Sequence, residues 1–365
     1  MKVKIQQFLY QNHSWKIVGE NIAKALIQNG DIVHLYPTDK DKQCHLSDEF
    51  KKYEVNIVDK IYDCQIGYTA PINWPIYFRN GSKNRFAIWN YEYRGLKLLP
   101  GFAKNYRSVD KVLPSSNFTK EVFLDMGIPE ERMIVVPHGI DLELFSVKGK
   151  FKLNTKRKIK ILLNIAQPHK RKALPLALKT FGEAFTKNDD VCLVAKISTS
   201  NKTDHQFNVD FHKLYNEFRI KYKNHAEVEI VTSFITNIAE LYNACDVNFS
   251  ATHTECWHLP SLEALAAGVV NVVPRYGGIL DFCNNDNSLL IDGKVVRAPR
   301  DHQYWQSSPY AQHFEIDLGD AVKKLKFAVE HCDELKQEMS SYMRNTAEKF
   351  TWTNVINQIK NLCEK

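Results

Sequence analysis

Residues Ser250–Gly268 read SATHTECWHLPSLEALAAG. A short apolar run, Val247–Phe249, precedes this stretch. Pro260 stands where a first helical turn tolerates proline, because the missing N–H has no partner there, and Gly268 stands where a left-handed stop is wanted. The stretch is therefore expected to run strand, loop, helix. Glu255 lies in the loop and Glu263, eight residues on, in the first turns of the helix. A helix N-terminus offers unpaired N–H groups and a partial positive charge, which suits a phosphate. A carboxylate on either side can accept sugar hydroxyls. The pattern suits a ligand with a sugar on each side of a diphosphate. Taken singly, each glutamate also reads as an ordinary loop or surface carboxylate.

The same alternation extends in both directions. Strand-like runs fall at Val3–Leu9, Ile32–Tyr36, Phe86–Trp89, Val112–Pro114 and Ile134–Val136, then at Ile159–Ile165, Val191–Ile197, Val228–Val231 and Val269–Val273. Helix-like stretches separate them, among them Trp15–Gln28, Asn117–Met126, Leu174–Phe185 and Ile238–Cys245. Such alternation predicts α/β architecture, with parallel sheets covered by helices on both faces. Asn117 is expected to cap its helix and Gly127 to end it. A chain of 365 residues is too long for one ordinary core. The polar, basic run Lys148–Lys158 marks the expected boundary. It gives a first domain over 1–150, a second over 151–345, and a closing segment over 346–365 with an amphipathic helix at Trp352–Leu362.

Composition narrows the class. Hydrophobic residues are 44% and charged residues 25%, as in a soluble globular chain, which argues against wholesale disorder. No apolar run approaches the roughly 18 residues of a spanning helix. Met1–Tyr10 alternates charged and apolar residues, so no cleaved leader is expected. Eight cysteines without a C-x-x-C pair read as free thiols in a reducing compartment, and a cytoplasmic location is expected. The net charge is +7, and Lys150–Lys172 holds nine basic residues and no acidic one. That run reads as a solvated linker, as a surface for anionic membrane or glycan, or as a phosphate site at its Lys170–Lys172 end. Nucleic acid is not expected as a partner, since the chain shows no zinc-finger spacing and no aromatic-interleaved basic face. Asp39–Lys40–Asp41 is a D-x-D sequence, read as a metal-binding motif or a solvated turn.

The E-x7-E pattern of Glu255 and Glu263 resembles the retaining family 4 glycosyltransferases. VLPSSN (Val112–Asn117), VPHGID (Val136–Asp141), Ile159–Leu178, LYNACDVNFS (Leu241–Ser250), Gly277–Gly278 after Pro274, and FTW (Phe350–Trp352) extend the likeness. It implies a GT-B fold: two facing Rossmann-like doubly wound domains with a cleft between them, and a C-terminal helix crossing back to the first. It implies retaining transfer of a hexose from a UDP- or GDP-sugar to a glycan, a lipid-linked acceptor or another hydroxyl. It also implies no metal or other cofactor, and peripheral contact with anionic membrane as a secondary expectation. By position, Glu255 would hold the donor sugar and Glu263 the ribose, with the N–H groups near His258, Leu259 and Ser261 facing the diphosphate. The family's arginine and lysine, five apart, fall at Gln167 and Lys172. Gln167 carries no charge, and Arg171 is the favoured substitute. In WNYEY (Trp89–Tyr93), Glu92 is the candidate to orient or deprotonate the acceptor hydroxyl; it also reads as a turn cap or as a partner of Arg94. A nucleotide-sugar epimerase, a phosphorylase and a non-catalytic nucleotide-sugar binder on this fold stay open as alternatives.

Overall fold

The computed structural model describes residues 1–10, 14–39, 46–56, 61–79, 81–95, 103–165, 167–197, 209–299 and 310–364. Two compact units emerge: Met1–Asp141 together with Lys349–Lys365, and Leu142–Glu348.

The first unit contains β1 (Lys2–Gln7), α1 (Ser14–Gln28), β2 (Ile32–Pro37), β3 (Cys64–Tyr68), α2 (Trp74–Tyr77), β4 (Asn84–Ile88), β5 (Lys111–Leu113) and α3 (Asn117–Asp125). Its five strands are parallel in the order β2-β1-β3-β4-β5. Strand order reverses between β1 and β3, the place where doubly wound sheets leave a crevice for ligands. β3 has no counterpart among the sequence-based strands, because Gln65 and Gly67 break its apolar run. Ile134–Val136, expected as a strand, lies along β5 through Ile134 N–H to Val112 O and Val136 N–H to Pro114 O, without forming a regular ladder. The cap of α3 is Ser116 rather than Asn117: its hydroxyl accepts from the Thr119 amide at 3.0 Å. Gly127 closes that helix with φ of +85°.

The second unit runs through α4 (Leu142–Phe145), β6 (Ile159–Ile165), α5 (Leu174–Ala184), β7 (Val191–Ile197), α6 (Phe211–Lys221), β8 (Glu227–Val231), α7 (Ile238–Asn243), β9 (Val247–Phe249), α8 (Leu259–Ala266), β10 (Val270–Pro274), β11 (Ser288–Ile291), β12 (Gly293–Arg297), β13 (Gln312–Ile316), α9 (Leu318–Glu330) and α10 (Cys332–Lys349). Its six-stranded parallel sheet has the order β11-β10-β9-β6-β7-β8, with β12 and β13 as a separate antiparallel pair. The inner strand β7 (VCLVAKI) is buried almost throughout, as a strand covered on both faces must be. The reversal of order falls between β6 and β9. The basic run before β6 meets local counter-charge: Glu229 accepts the backbone amides of Asn154 and Thr155, and Arg157 pairs with Glu227. Among the described residues, no helix is long and apolar enough to cross a membrane.

The last helix, α11 (Trp352–Cys363), belongs to the first unit. Trp352, Val355, Ile356 and Ile359 form one apolar stripe and join the core of Val3, Ile5, Leu26 and Val136. Each such side chain contributes about 1.5–3 kcal/mol when fully buried. Ile140 N–H donates to Phe350 O at 2.7 Å, and Gln358 Nε2 donates to Val135 O at 2.7 Å. Gly139 sits under this junction. A Cβ there would lie 2.6–2.8 Å from the Trp352 ring and backbone. Gly139→Ala is expected to cost about 1–3 kcal/mol by overpacking, read as a lower thermal midpoint. An unchanged midpoint would show that the helix has room to move aside.

Candidate functional site

The loops that leave β6 and β9 meet at the point where strand order reverses. The first carries Gln167–Lys172 and the second Ser250–His258. They are stitched together by the His253 amide, which donates to Arg171 O at 2.9 Å. Between them lies Glu255, 5% exposed. Arg171 Nη1 is 2.8 Å from Glu255 Oε2, and Lys172 Nζ is 2.6 Å from Oε1. Thr252 Oγ1 donates to Oε1 at 2.9 Å. Burial alone would raise the pKa of this carboxyl. The two cations outweigh burial and hold it well below the usual carboxylate range.

Arg171, 9% exposed, also donates from Nη1 to Thr254 O at 2.9 Å, so its guanidinium braces the Glu255 loop. The Lys172 side chain is more accessible, at 19%. Gln167 accepts the His169 amide at its backbone oxygen, and its Oε1 lies 2.6 Å from His169 Nε2. Burial, with help from the two cations, pushes His169 down to about 3. Burial does the same to His258, against the pull of Glu255. Both rings are therefore neutral near pH 7. Two cations and one carboxylate leave one net positive charge.

α8 points its first turn into this region. His258 caps it with φ of 74°, a left-handed conformation that side chains seldom adopt. Its Nδ1 is 2.6 Å from Ser261 Oγ. The Ser261 amide is committed to His258 O, and Pro260 has none to offer. Among the described residues, the amides of His258 and Leu259 have no assigned acceptor. Of the three backbone groups expected at the tip, Ser261 is thus the one already in use.

Glu263, one turn further, has the opposite environment from Glu255. The residue is only partly buried by area, yet its carboxyl is enclosed and receives one hydrogen bond, from Tyr242 at 2.8 Å. Burial raises its pKa to about 7. Tyr242 and its neighbour Asn164 were not anticipated from the sequence. Nor was Thr252, although a hydroxyl three residues before Glu255 was a readable signal.

Gly277 holds the far side of the Glu255 loop. Its φ is +83°, and a Cβ there would lie 2.8 Å from Glu255 O, while the Gly278 amide donates to that same oxygen at 2.8 Å.

In the first unit, residues Trp89–Tyr93 alternate inward and outward. Trp89, Tyr91 and Tyr93 are buried, while Asn90 and Glu92 are partly exposed. Arg94 pairs with Asp125 and Glu121 rather than with Glu92. Asn90, also missed in the sequence, organises the carboxyl ends of this sheet. Its Nδ2 reaches the Tyr68 hydroxyl at 2.7 Å and His138 Nε2 at 3.0 Å, and its Oδ1 accepts from Ser115 Oγ at 2.8 Å. Burial pushes His138 down to about 3. Of the D-x-D sequence, Asp39 accepts the amides of Leu9 and Tyr10, which ties the segment after β2 to the segment after β1; residues 40 and 41 lie outside the described residues.

Neither a protein-family model nor a curated protein sequence matches the chain. Solved structures do. A glycosyltransferase from Rickettsia africae ESF-5 aligns with a TM-score of 0.73 at 15% identity, over 100% of this chain and 98% of that one. A sucrose-phosphate synthase from Thermosynechococcus elongatus aligns with a TM-score of 0.73 at 12% identity, over 100% and 98%. Anabaena HepE in complex with UDP-glucose aligns with a TM-score of 0.68 at 12% identity, over 100% and 99%. The shared feature is the fold: two parallel-sheet Rossmann-like units, the GT-B architecture.

A carboxyl whose pKa is raised on folding binds more protons folded than unfolded, so it lowers stability as pH rises from the ordinary 4.5 to about 7. Relative to Glu263→Gln, the wild type should lose about 3 kcal/mol across that window, measured by denaturant unfolding at several pH values. Parallel curves would show that Glu263 titrates normally. Gly277→Ala should displace the Glu255 backbone and cost about 1–3 kcal/mol, read by thermal unfolding. A neutral result would place Gly277 away from that loop in solution.

Proposed function

We propose that the chain is a retaining glycosyltransferase that moves a hexose from a UDP- or GDP-sugar to a hydroxyl acceptor, a glycan or a lipid-linked sugar. The observation that carries this reading is the buried Glu255 held by Arg171 and Lys172 where β6 and β9 diverge, beside the N-terminus of α8. That arrangement offers one net positive charge and a helix tip to a diphosphate. It offers one carboxylate to the transferred sugar and a second, Glu263, to the ribose. The GT-B architecture shared with HepE, whose structure holds UDP-glucose, supports it.

In this reading the step is the cleavage of the bond between the anomeric carbon and the diphosphate. Lys172 and the His258 and Leu259 amides stabilise charge developing on the leaving diphosphate. Glu255 stays ionised, accepts hydroxyls of the donor sugar and lies near the positive charge that grows at the anomeric carbon. Arg171 keeps that carboxylate in place. Gln167, anchored on His169, contributes a neutral hydrogen-bonding side chain rather than the cation of the family pattern. The acceptor hydroxyl attacks on the face that the diphosphate leaves, and a departing phosphate oxygen takes its proton, so configuration is retained. Glu92, beyond β4, is proposed as the group that orients the acceptor hydroxyl. No metal is invoked.

One observation favours a second reading, a nucleotide-sugar binder without transferase activity: Arg171 and Lys172 are both committed to Glu255. A screen of UDP- and GDP-sugars for donor hydrolysis and transfer separates the two. Transfer is expected from at least one donor, with the anomeric configuration kept, and Glu255→Gln is expected to lower the rate by about 100-fold or more while the fold persists. Binding without hydrolysis or transfer would favour the second reading. Wild-type rates in the Glu255 variant would overturn the first.

A further inference from the structure

Glu263 lacks what Glu255 has. Among the described residues its carboxyl joins no ion pair, and Tyr242 is its hydrogen-bond partner. Tyr242, on α7, is fully buried, and its hydroxyl oxygen meets three polar groups. They are Glu263 Oε2 at 2.8 Å, Pro260 O at 3.1 Å and Asn164 Nδ2 at 3.0 Å. A phenol has one proton to donate and can accept two. Asn164 can only donate here, so the phenol proton has two alternative acceptors. When Glu263 is ionised, the proton goes to the carboxylate in a charge-assisted bond. When Glu263 is protonated, its own O–H donates to the phenol oxygen, and the phenol proton turns to Pro260 O. Asn164 donates to the phenol in both arrangements, and no heavy atom has to move between them.

We propose that Tyr242, braced by Asn164, is a positioning residue that presents Glu263 to the ribose hydroxyls of a nucleoside diphosphate sugar and couples nucleotide binding to the proton on Glu263. The ribose contact rests on the donor-site reading above; the coupling between Tyr242 and Glu263 stands on the geometry alone.

With Oε2 engaged by Tyr242, Oε1 is left for the ribose diol. Both ribose hydroxyls act as donors to an ionised carboxylate, so binding selects the ionised form. Burial pushes Glu263 up to about 7, and the Tyr242 bond works against burial. Affinity should therefore rise with pH through about 7 and level off above it. The elements packed on α8 bring few other titratable groups near it. α7 carries Glu240 beside Tyr242, α4 carries Glu143 and β10 carries none. Burial keeps the nearby Cys245 thiol protonated. In the rest of the site Glu255 stays ionised and His169 and His258 stay neutral over this range.

The test is calorimetric titration of the full chain with UDP-glucose and with GDP-mannose, whose diphosphate diesters do not change charge near neutral pH. Wild type is compared with Tyr242→Phe from about pH 6 to about pH 8.5. The variant is expected to bind about fivefold more weakly at pH 7, with the gap closing at higher pH as the midpoint moves up by about one unit. Asn164→Leu, which keeps the phenol but removes the donor that polarises it, should move the midpoint the same way by less. It decides the matter if the first variant fails to fold. A loss of affinity equal at every pH, or no change at all, overturns the role of Tyr242. A wild-type chain that binds neither nucleotide overturns the donor-site reading instead. The coupling is then read from carboxyl NMR of Glu263 without ligand, where an unshifted midpoint in both variants overturns it too.

Discussion

A carboxylate enclosed by protein and held between two cations is the interaction on which the second unit's loops depend. Removing one partner from a buried ion pair typically costs about 3–5 kcal/mol, because the remaining charge is stranded. Glu255, Arg171 and Lys172 form such a group with an extra cation, so it is compensated but not neutral. The surplus is useful only if an anion arrives. The neutral rings of His169 and His258 add no competing charge. The site therefore carries a fixed, modest positive potential in a poorly hydrated place, which suits a ligand whose negative charge grows as its bond breaks.

The two glutamates are eight residues apart in sequence and far apart in chemistry. Glu255 is kept ionised by its partners, whereas Glu263 has a phenol for company and burial pushes its pKa up to about 7. The backbone keeps them apart. His258 adopts an unfavourable left-handed conformation between them, and Gly277 supplies the close approach behind Glu255 that a Cβ would block. Strain and tight packing of this kind persist where the surrounding structure determines them strongly.

Local pattern was legible; long-range pairing was not. The strand, loop, proline and glycine of Ser250–Gly268 could be read because each signal lies within a few residues of the feature it sets, and α8 and the φ of Gly268 match it. Misplacing the α3 cap by one residue reflects how alike serine and asparagine are as caps. β3 was hidden because its polar Gln65 is satisfied by groups that lie elsewhere in the chain or its fold: Gln6 and the Tyr77 carbonyl. The sequence points Arg171 at phosphate, but its carboxylate partner lies more than 80 residues away and no local pattern announces it. The basic run before β6 likewise meets glutamates at 227 and 229 that only the sheet brings near. Tyr242 lies within LYNACDVNFS, but its partner Glu263 is set by packing and not by local pattern.

The central claim is that the Glu255 ion group and the α8 tip form the donor site. A crystal structure of the full chain with bound UDP-glucose, or with GDP-mannose if that binds better, tests it most directly. The account predicts diphosphate oxygens within hydrogen-bond reach of Lys172 Nζ and the His258 and Leu259 amides, with ribose hydroxyls on Glu263 and hexose hydroxyls on Glu255. A diphosphate held anywhere else, with the Glu255 ion group untouched, would contradict it.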